Sequence, residues 1–216
     1  MKNYSLNKFS LKKRGVLIVP KSKEQCREIR EKMRATILQK SLLYFARNGF
    51  AGTKIGDLSR SIGIGQGTIY VYFDSKEELY KEIFEITKYE KELKEMELLT
   101  KLPLPAREKI KQLSKKILKR IKEDEMFAAK IVLNSQLVLE QSEKASSIDT
   151  SYQTKLYELT ENIIKQGQKE KTVVDTSSMK LTDYYWSIVY VYALKRLFTS
   201  EFEFITEEDL CRSVLI

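Results

Sequence analysis

Apolar residues recur along most of the chain at the three- and four-residue spacing of an amphipathic helix. In the first such stretch the apolar positions of one helical face are Ile29, Met33, Ile37, Leu38 and Phe45. Ser22 and Gln25 stand at capping-box spacing before this stretch, and Asn48-Gly49 supplies a left-handed stop after it. The pattern therefore predicts a helix over about residues 23–48.

The remainder of the chain follows the same helical pattern. Six of the eight glycines fall between residues 49 and 67, which predicts short helices joined by tight turns. Ser75 and Glu78 form a second capping box and open a helix that runs to about Leu99, before Pro103 and Pro105 mark a boundary. Further helices are predicted over 106–122, 125–141, 149–169 and 178–199, with a short last one opened by Thr206. Strand-like alternation is absent, so we expect an all-α protein.

The net charge of +9 is unevenly distributed. Residues 1–76 carry 16 Lys and Arg against 5 Asp and Glu, whereas residues 77–216 carry 23 against 25. This asymmetry favours a polyanion-binding module attached to a near-neutral one. A basic surface that is merely solvated explains the charge equally well at this point.

The composition argues against several other classes of protein. The chain has no histidine, which removes the commonest general base and His metal ligands. Cys26 and Cys211 lack the spacing of a disulfide framework or a zinc site and fit a reducing cytoplasm. The most apolar run, Tyr184–Leu194, has 11 residues, well short of the ~20 that span a membrane. We therefore expect a cytoplasmic protein that is not an enzyme, does not associate with membranes and holds neither metal nor cofactor.

The segment most informative about function covers residues 54–73 and reads KIGDLSRSIGIGQGTIYVYF. Its inward positions would be apolar: Ile55, Leu58, Ile62, Ile64, Ile69 and Tyr72. Gly63 stands where a sharp turn needs a positive φ, and the small Ser59 permits a second helix to approach closely. These constraints agree with a helix-turn-helix.

The same residues resemble a known family. Thr53–Ser59 and Gly65–Leu79, together with the preceding Phe45–Phe50, are similar to the DNA-binding domain of the tetracycline-repressor (TetR/AcrR) family. The similarity extends over about residues 27–90. A later segment, Ile163–Glu170, weakly resembles the family's penultimate long helix.

The resemblance implies a domain organisation. It places a helix-turn-helix DNA-binding domain of three helices at residues 31–91 and a helical effector-binding and dimerisation domain at 92–216. Residues 1–22 precede both as a basic flexible arm. The fold class expected is therefore all-α, with an N-terminal DNA-binding domain and a helical C-terminal domain.

The resemblance also assigns roles in binding double-stranded DNA. The base-reading residues would be Gln66, Gly67 and Thr68, and the phosphate-contacting residues would be Thr53, Tyr70, Tyr72 and Lys76. Glutamine reads adenine through two hydrogen bonds, and threonine can contact a thymine methyl group. Tyr72 can equally be a core residue, and Lys76 can be a solvated residue at a helix start. Gly65 departs from the Ser or Thr helix cap that is usual in the family.

The C-terminal half suggests two further sites. The run Tyr184–Leu194 is apolar around nearly its full circumference, which favours burial against a second copy of the chain. The predicted homodimer interface comprises Leu156, Leu159, Ile163, Tyr185, Ile188 and Tyr192. The predicted effector pocket comprises Phe127, Asn134, Trp186 and Tyr190, with Gln136 as another polar anchor. Ordinary core packing remains an alternative for each of these residues.

The resulting expectation is a sequence-specific transcriptional regulator. As a homodimer it would occupy a palindromic operator as a repressor and be released by a small apolar or aromatic effector. The alternative is a DNA-binding regulator, including an activator, that is independent of ligand or controlled by a partner.

Overall fold

The computed structural model describes residues 22–87, 90–139 and 151–216, without the side chains of 137–139 and 151–153. Nearly all of the arm predicted at residues 1–22 lies outside this description. The chain divides into two compact units, residues 1–36 and 37–216.

The described residues are almost entirely helical. The helices are α1 (Lys23–Gly52), α2 (Ile55–Ile62), α3 (Gln66–Tyr70), α4 (Lys76–Thr87), α5 (Glu90–Lys101), α6 (Ala106–Glu123), α7 (Glu125–Leu139), α8 (Ser151–Lys169), α9 (Ser178–Phe198) and α10 (Glu207–Cys211). A single antiparallel bridge joins Val173 and Leu215 within these ranges. The prediction of an all-α protein is confirmed.

Side-chain caps account for several helix starts. The amide of Gln25 donates to Ser22 Oγ at 3.1 Å, and the amide of Ser22 donates to Gln25 Oε1 at 2.9 Å. The amide of Glu78 likewise donates to Ser75 Oγ at 3.0 Å. Thr206 opens α10 with a reciprocal capping box. The starts predicted at these residues are confirmed.

Two glycines with positive φ shape the first part of the chain. Gly49 has φ 68° and interrupts α1, which resumes for a final turn to Gly52. Gly63 has φ 85° and ends α2, as its position in the turn predicts. The helix predicted from Ser75 to about Leu99 corresponds to α4 and α5, and residues 88–89 between them lie outside the described residues.

An aromatic cluster packs α1 against α4. The ring of Tyr80 lies 5.0 Å from that of Phe45, 4.6 Å from that of Phe50 and 4.8 Å from that of Phe84. Phe45 and Phe84 are fully buried. Aromatic pairs at these separations add to the hydrophobic stabilisation of a core, so the cluster fixes the start of α4 on the end of α1.

A buried lysine ties together the helices of the C-terminal half. Lys109 on α6 donates from Nζ to the carbonyl oxygen of Thr100 at 2.8 Å and to Gln166 Oε1 at 2.9 Å. Gln166 in turn donates to the carbonyl oxygen of Leu104 at 3.0 Å. Since a buried ammonium needs such partners, this network holds α5, α6 and α8 in a fixed relation.

Candidate DNA-reading surface and effector cavity

The helix-turn-helix is built on a buried inner face. Ile55, Leu58, Ile62 and Ile69 are all buried, as the pattern predicts, while Ile64 at the turn is half-buried. Burial of this face fixes the angle between α2 and α3 and leaves the opposite face of α3 to solvent.

Ser59 closes the turn between the two helices. Its carbonyl oxygen accepts the amides of Gly63 and Ile64, both at 3.0 Å, while its hydroxyl donates to the carbonyl oxygen of Gly56. The side chain is buried, so a small residue is needed here, as expected from the sequence.

The outward face of α3 is polar and sterically open. Gln66, Gly67 and Tyr70 are exposed, and Thr68 is half-buried. Nothing lies within 4 Å of the position that a Cβ atom would take at Gly67. Gly65 caps the helix without a side-chain hydrogen bond, its carbonyl oxygen accepting the amide of Thr68 at 2.9 Å. The residues predicted to read bases therefore lie together on one accessible surface.

The end of α3 joins this surface to the core. Phe73 is fully buried, whereas Tyr72 is half-buried. The partial exposure of Tyr72 is compatible with both roles considered for that residue, core packing and phosphate contact. Val71 is 63% exposed beside Tyr70, an apolar surface residue that the sequence pattern did not single out.

Thr53 has a different environment from the one expected of a phosphate ligand. The side chain is 1% exposed, and its hydroxyl donates to the carbonyl oxygen of Gly49 at 2.7 Å. Its amide donates to the carbonyl oxygen of Phe50 at 3.2 Å. Since both groups are engaged inside the protein, Thr53 holds the end of α1 rather than presenting a hydroxyl to a phosphate.

Lys76 also points back into the domain. Its ammonium donates to the carbonyl oxygens of Phe50 at 2.9 Å and Thr53 at 3.0 Å, and lies 4.1 Å from the centre of the Phe50 ring. An ammonium has three N–H donors, so one is left for a phosphate after these two bonds. The alternative considered from the sequence, a freely solvated lysine at the helix start, does not fit these two hydrogen bonds.

Basic residues on α1 and α2 add to the same region. Lys40 donates from Nζ to the carbonyl oxygen of Ile62 at 3.1 Å, at the C-terminal end of α2. Lys54, at the start of α2, is exposed, and Arg60 pairs with Asp57. Sequence reasoning did not assign roles to these cations, although their position within the basic first third of the chain was a signal for them.

A cavity of about 900 Å³ lies among α5, α6, α7, α8 and α9. All four residues predicted to form an effector pocket line it, namely Phe127, Asn134, Trp186 and Tyr190. Gln136, the other polar anchor considered, lies outside the lining and donates to the carbonyl oxygen of Ala46 at 3.2 Å. The cavity falls within the size range of small-molecule sites.

The residues predicted at a dimer interface divide into distinct groups. Tyr185 is 1% exposed and its hydroxyl lies 3.2 Å from Ser114 Oγ, while Leu159 and Ile163 are also buried. These three side chains belong to the core of the single chain and leave little surface for a partner. Leu156 lines the cavity, and Tyr192 packs 5.4 Å from the ring of Phe204.

A different face of α9 is apolar and open. Tyr184, Val191 and Phe198 are exposed, with the half-buried Ile188 between the first two. Their spacing of three, four and seven residues places them on one stripe of the helix. We call Tyr184, Ile188, Val191 and Phe198 the α9 stripe; of these, the sequence prediction included Ile188.

Helix α7 connects the cavity to α1. Phe127 and Asn134 face the cavity, whereas Glu125 and Gln136 contact α1. Arg47 Nη2 lies 2.8 Å from Glu125 Oε1. A change in the cavity wall therefore has a direct structural path to α1.

None of the described helices combines the length and apolarity needed to cross a membrane. Within the described ranges, no three or more Cys, Asp or Glu side chains are grouped so as to hold a metal ion.

Comparison with known proteins finds relatives of the N-terminal part of the chain. Residues 37–83 match the model of bacterial regulatory proteins of the tetR family. The chain is 32% identical over 78 residues to the HTH-type transcriptional regulator AcrR of Shigella flexneri, covering 36% of this chain and 34% of that protein. The alignments span about a third of the length of the curated relatives.

Solved structures share the fold over nearly their full length. FadR from Bacillus subtilis in complex with stearoyl-CoA has a TM-score of 0.58 at 17% identity, covering 82% of this chain and 95% of that one. AibR in complex with isovaleryl coenzyme A and operator DNA has a TM-score of 0.59 at 14% identity, covering 83% and 94%. At such identities the likeness establishes the fold alone.

Proposed function

We propose that this chain, whose residues 37–83 match the model of the tetR family of bacterial regulatory proteins, is a homodimeric transcriptional repressor. It would bind a palindromic operator through α3 and leave it when a small apolar or aromatic effector occupies the cavity. The observation that carries this proposal is the exposed polar face of α3, held at a fixed angle by the buried face of α2.

The chemistry of α3 suits the edges of bases in a major groove. The amide of Gln66 can donate to and accept from adenine, and the methyl group of Thr68 can contact thymine. Gly67 lets the backbone approach closely because it has no side chain. Tyr70, exposed at the end of the helix, can donate its hydroxyl to a phosphate.

Dimerisation would give the palindrome its geometry. Two copies related by a two-fold axis present two recognition helices to half-sites about one turn of DNA apart, roughly 34–36 Å. We assign the contact between copies to the α9 stripe, because its apolar side chains are open to solvent in the single chain.

Effector binding would act through α4 and α7. Lys76 and the aromatic cluster fix α4 to α1, and α7 contacts α1 through Glu125 and Gln136. A ligand that prefers one position of α7 would shift both copies of α3 and lower operator affinity. Two structural relatives support this scheme: FadR was solved with an acyl-CoA, and AibR with an acyl-CoA and operator DNA.

A second candidate function is a DNA-binding regulator whose output does not depend on a small molecule. The described α3 face supports this function equally. The cavity of about 900 Å³ lined by four aromatic rings favours the effector-controlled repressor.

The proposal is tested by recovering genomic DNA fragments with the purified full chain and sequencing them. We expect enrichment of a palindromic sequence that Tyr70→Ala loses and that Gln39→Ala retains. Gln39 is an exposed residue of α1, outside α3, and serves as the matched control. A well-folded dimer that enriches no sequence would contradict the proposed function.

A further inference from the structure

The charges on the cavity wall define the class of effector more closely. Three carboxylates, those of Glu92, Glu95 and Asp183, line the cavity together with two cations, Lys116 and Arg120. The described wall therefore carries a net negative charge. An apolar cavity with this balance favours a cation over an anion.

Both cations are already neutralised by carboxylates of the same wall. Lys116 Nζ lies 2.6 Å from Glu95 Oε2, and Arg120 Nη1 lies 2.5 Å from Glu92 Oε1. The Arg120 guanidinium also lies 3.8 Å from the centre of the Phe127 ring. An anionic ligand would have to displace a carboxylate from one of these pairs, which costs free energy.

Asp183 is the carboxylate that remains. Within the described residues it forms no ion pair. It lies on α9 three residues before Trp186 and seven before Tyr190, and all three line the cavity. A cation on this face of α9 would meet a negative charge that no basic side chain of the described chain offsets.

Aromatic rings stand next to this carboxylate. The rings of Tyr157 and Trp186 stack with their centres 5.8 Å apart and an angle of 24° between them. The Trp186 indole is held by a hydrogen bond from Nε1 to Thr160 Oγ1 at 3.3 Å. Burial and the negative charge of Asp183 raise the pKa of Tyr157, so the field of the carboxylate acts on these rings. Ring faces of this kind attract organic cations.

We propose that the effector of this cavity is an amphipathic monovalent organic cation. Its charged centre would lie between the Asp183 carboxylate and the ring pair of Tyr157 and Trp186, and its apolar body would fill the space towards Phe127 and Ile131. The proposal rests on the proposed function, because it assigns the chemistry of the ligand that releases the operator. It also distinguishes this cavity from a site for an acyl-CoA, whose phosphates carry several negative charges.

Two probes of nearly identical shape and opposite charge test this proposal. Tetraphenylphosphonium is the cation and tetraphenylborate the anion, and octanoyl-CoA serves as a third, polyanionic probe. The chain contains one tryptophan, Trp186, in the cavity wall. Its fluorescence therefore reports binding to the full chain, and calorimetry measures the same affinities independently.

We expect the phosphonium to bind at least about tenfold more tightly than the borate or octanoyl-CoA. Asp183→Asn should reduce that preference by about tenfold, since it removes the unpaired charge while keeping the shape. Asp175→Asn, at an exposed carboxylate outside the cavity, should leave the preference unchanged. The proposal would be overturned if either anionic probe bound more tightly than the phosphonium, or if the phosphonium did not bind. It would also be overturned if Asp183→Asn and Asp175→Asn reduced the preference for the cation equally.

Binding of ligand-free protein to the recovered DNA is measured in the same preparations. Failure to bind DNA would contradict the proposed function whatever the charge preference of the cavity. If the protein binds DNA but its cavity prefers anions, the assignment of a cationic effector would be wrong and the proposed function would stand.

Discussion

The ammonium of Lys76 donates to the carbonyl oxygen of Phe50 at 2.9 Å and lies 4.1 Å from the centre of that residue's ring. One side chain at the start of α4 thus caps the last turn of α1 and covers its terminal aromatic ring. The contact holds the start of α4 on the end of α1, which precedes the helix-turn-helix in the chain. Lys76 is therefore a residue that positions α4 on α1.

Lys76→Met should destabilise the domain. The substitution keeps most of the aliphatic stem but removes two charge-assisted hydrogen bonds. Their joint loss should lower the free energy of unfolding by about 1–3 kcal/mol. Urea unfolding measures the loss, with the exposed Lys81→Met on the same helix as control. The slope of log K for DNA binding against log salt concentration should change by less than the loss of one phosphate contact would cause. An unchanged free energy of unfolding, together with a salt slope that is smaller in magnitude by about one, would show that Lys76 acts as a phosphate ligand instead.

Gly67→Ala should separate DNA affinity from stability. A Cβ atom at Gly67 meets nothing within 4 Å, so the free energy of unfolding should stay the same or rise slightly. Affinity for operator DNA should fall by about tenfold or more if the backbone of α3 approaches the groove closely. Gly63→Ala is the contrasting variant: φ of 85° there should cost about 1–2 kcal/mol of stability. Unchanged DNA affinity in Gly67→Ala would remove this residue from the interface.

Much of the fold follows from local signals in the sequence. Ser22, Ser75 and Thr206 mark helix starts because each side chain accepts an amide hydrogen bond that the first turn would otherwise lack. Gly63 marks the turn because a positive φ is unfavourable for other residues. These effects act over a few residues, so they can be read without knowledge of tertiary packing.

The environments of Thr53, Lys76 and Tyr185 could not be read in this way. Lys76 and Tyr185 find their partners on a distant turn or helix, as in the contact of Tyr185 with Ser114. The hydroxyl of Thr53 bonds the carbonyl oxygen of Gly49, only four residues back, but the burial of Thr53 depends on tertiary packing. The apolar circumference of α9 predicted that the helix would be covered on all sides, but not which stripe the chain itself covers. The four predicted cavity residues do lie together, because their helices pack so that apolar faces converge.

Val191→Glu should dissociate the dimer. Val191 is 44% exposed at the centre of the α9 stripe, and a carboxylate there would be buried against its own copy across a two-fold axis. Sedimentation equilibrium should show monomers at concentrations where the parent chain is dimeric, with weaker binding to a full palindrome. Met179→Glu, exposed on α9 but off the stripe, is the control. A dimer unaffected by Val191→Glu would place the interface elsewhere.

Tyr185 should make the protein sensitive to alkaline pH. Burial raises its pKa above the ordinary value of about 10, so the folded state holds the phenol neutral while the unfolded state ionises it. The resulting contribution to stability is present below pH ~10 and is lost progressively as pH rises above that value. The free energy of unfolding between pH 9 and 11 should fall less steeply in Tyr185→Phe than in the parent chain. Equal slopes in the two proteins would contradict the assignment.

The assignment of α3 as the base-reading helix is tested by selecting binding sites from a randomised DNA library with the parent chain and with Gln66→Ala. We expect a two-fold symmetric consensus for the parent, and loss of preference at one symmetric pair of positions in the variant, worth about 1–3 kcal/mol per site. Gln66 is exposed, so the variant should retain its fold. Selection of no consensus by a folded parent dimer, or an identical consensus for both proteins, would contradict the assignment of α3 as the base-reading helix.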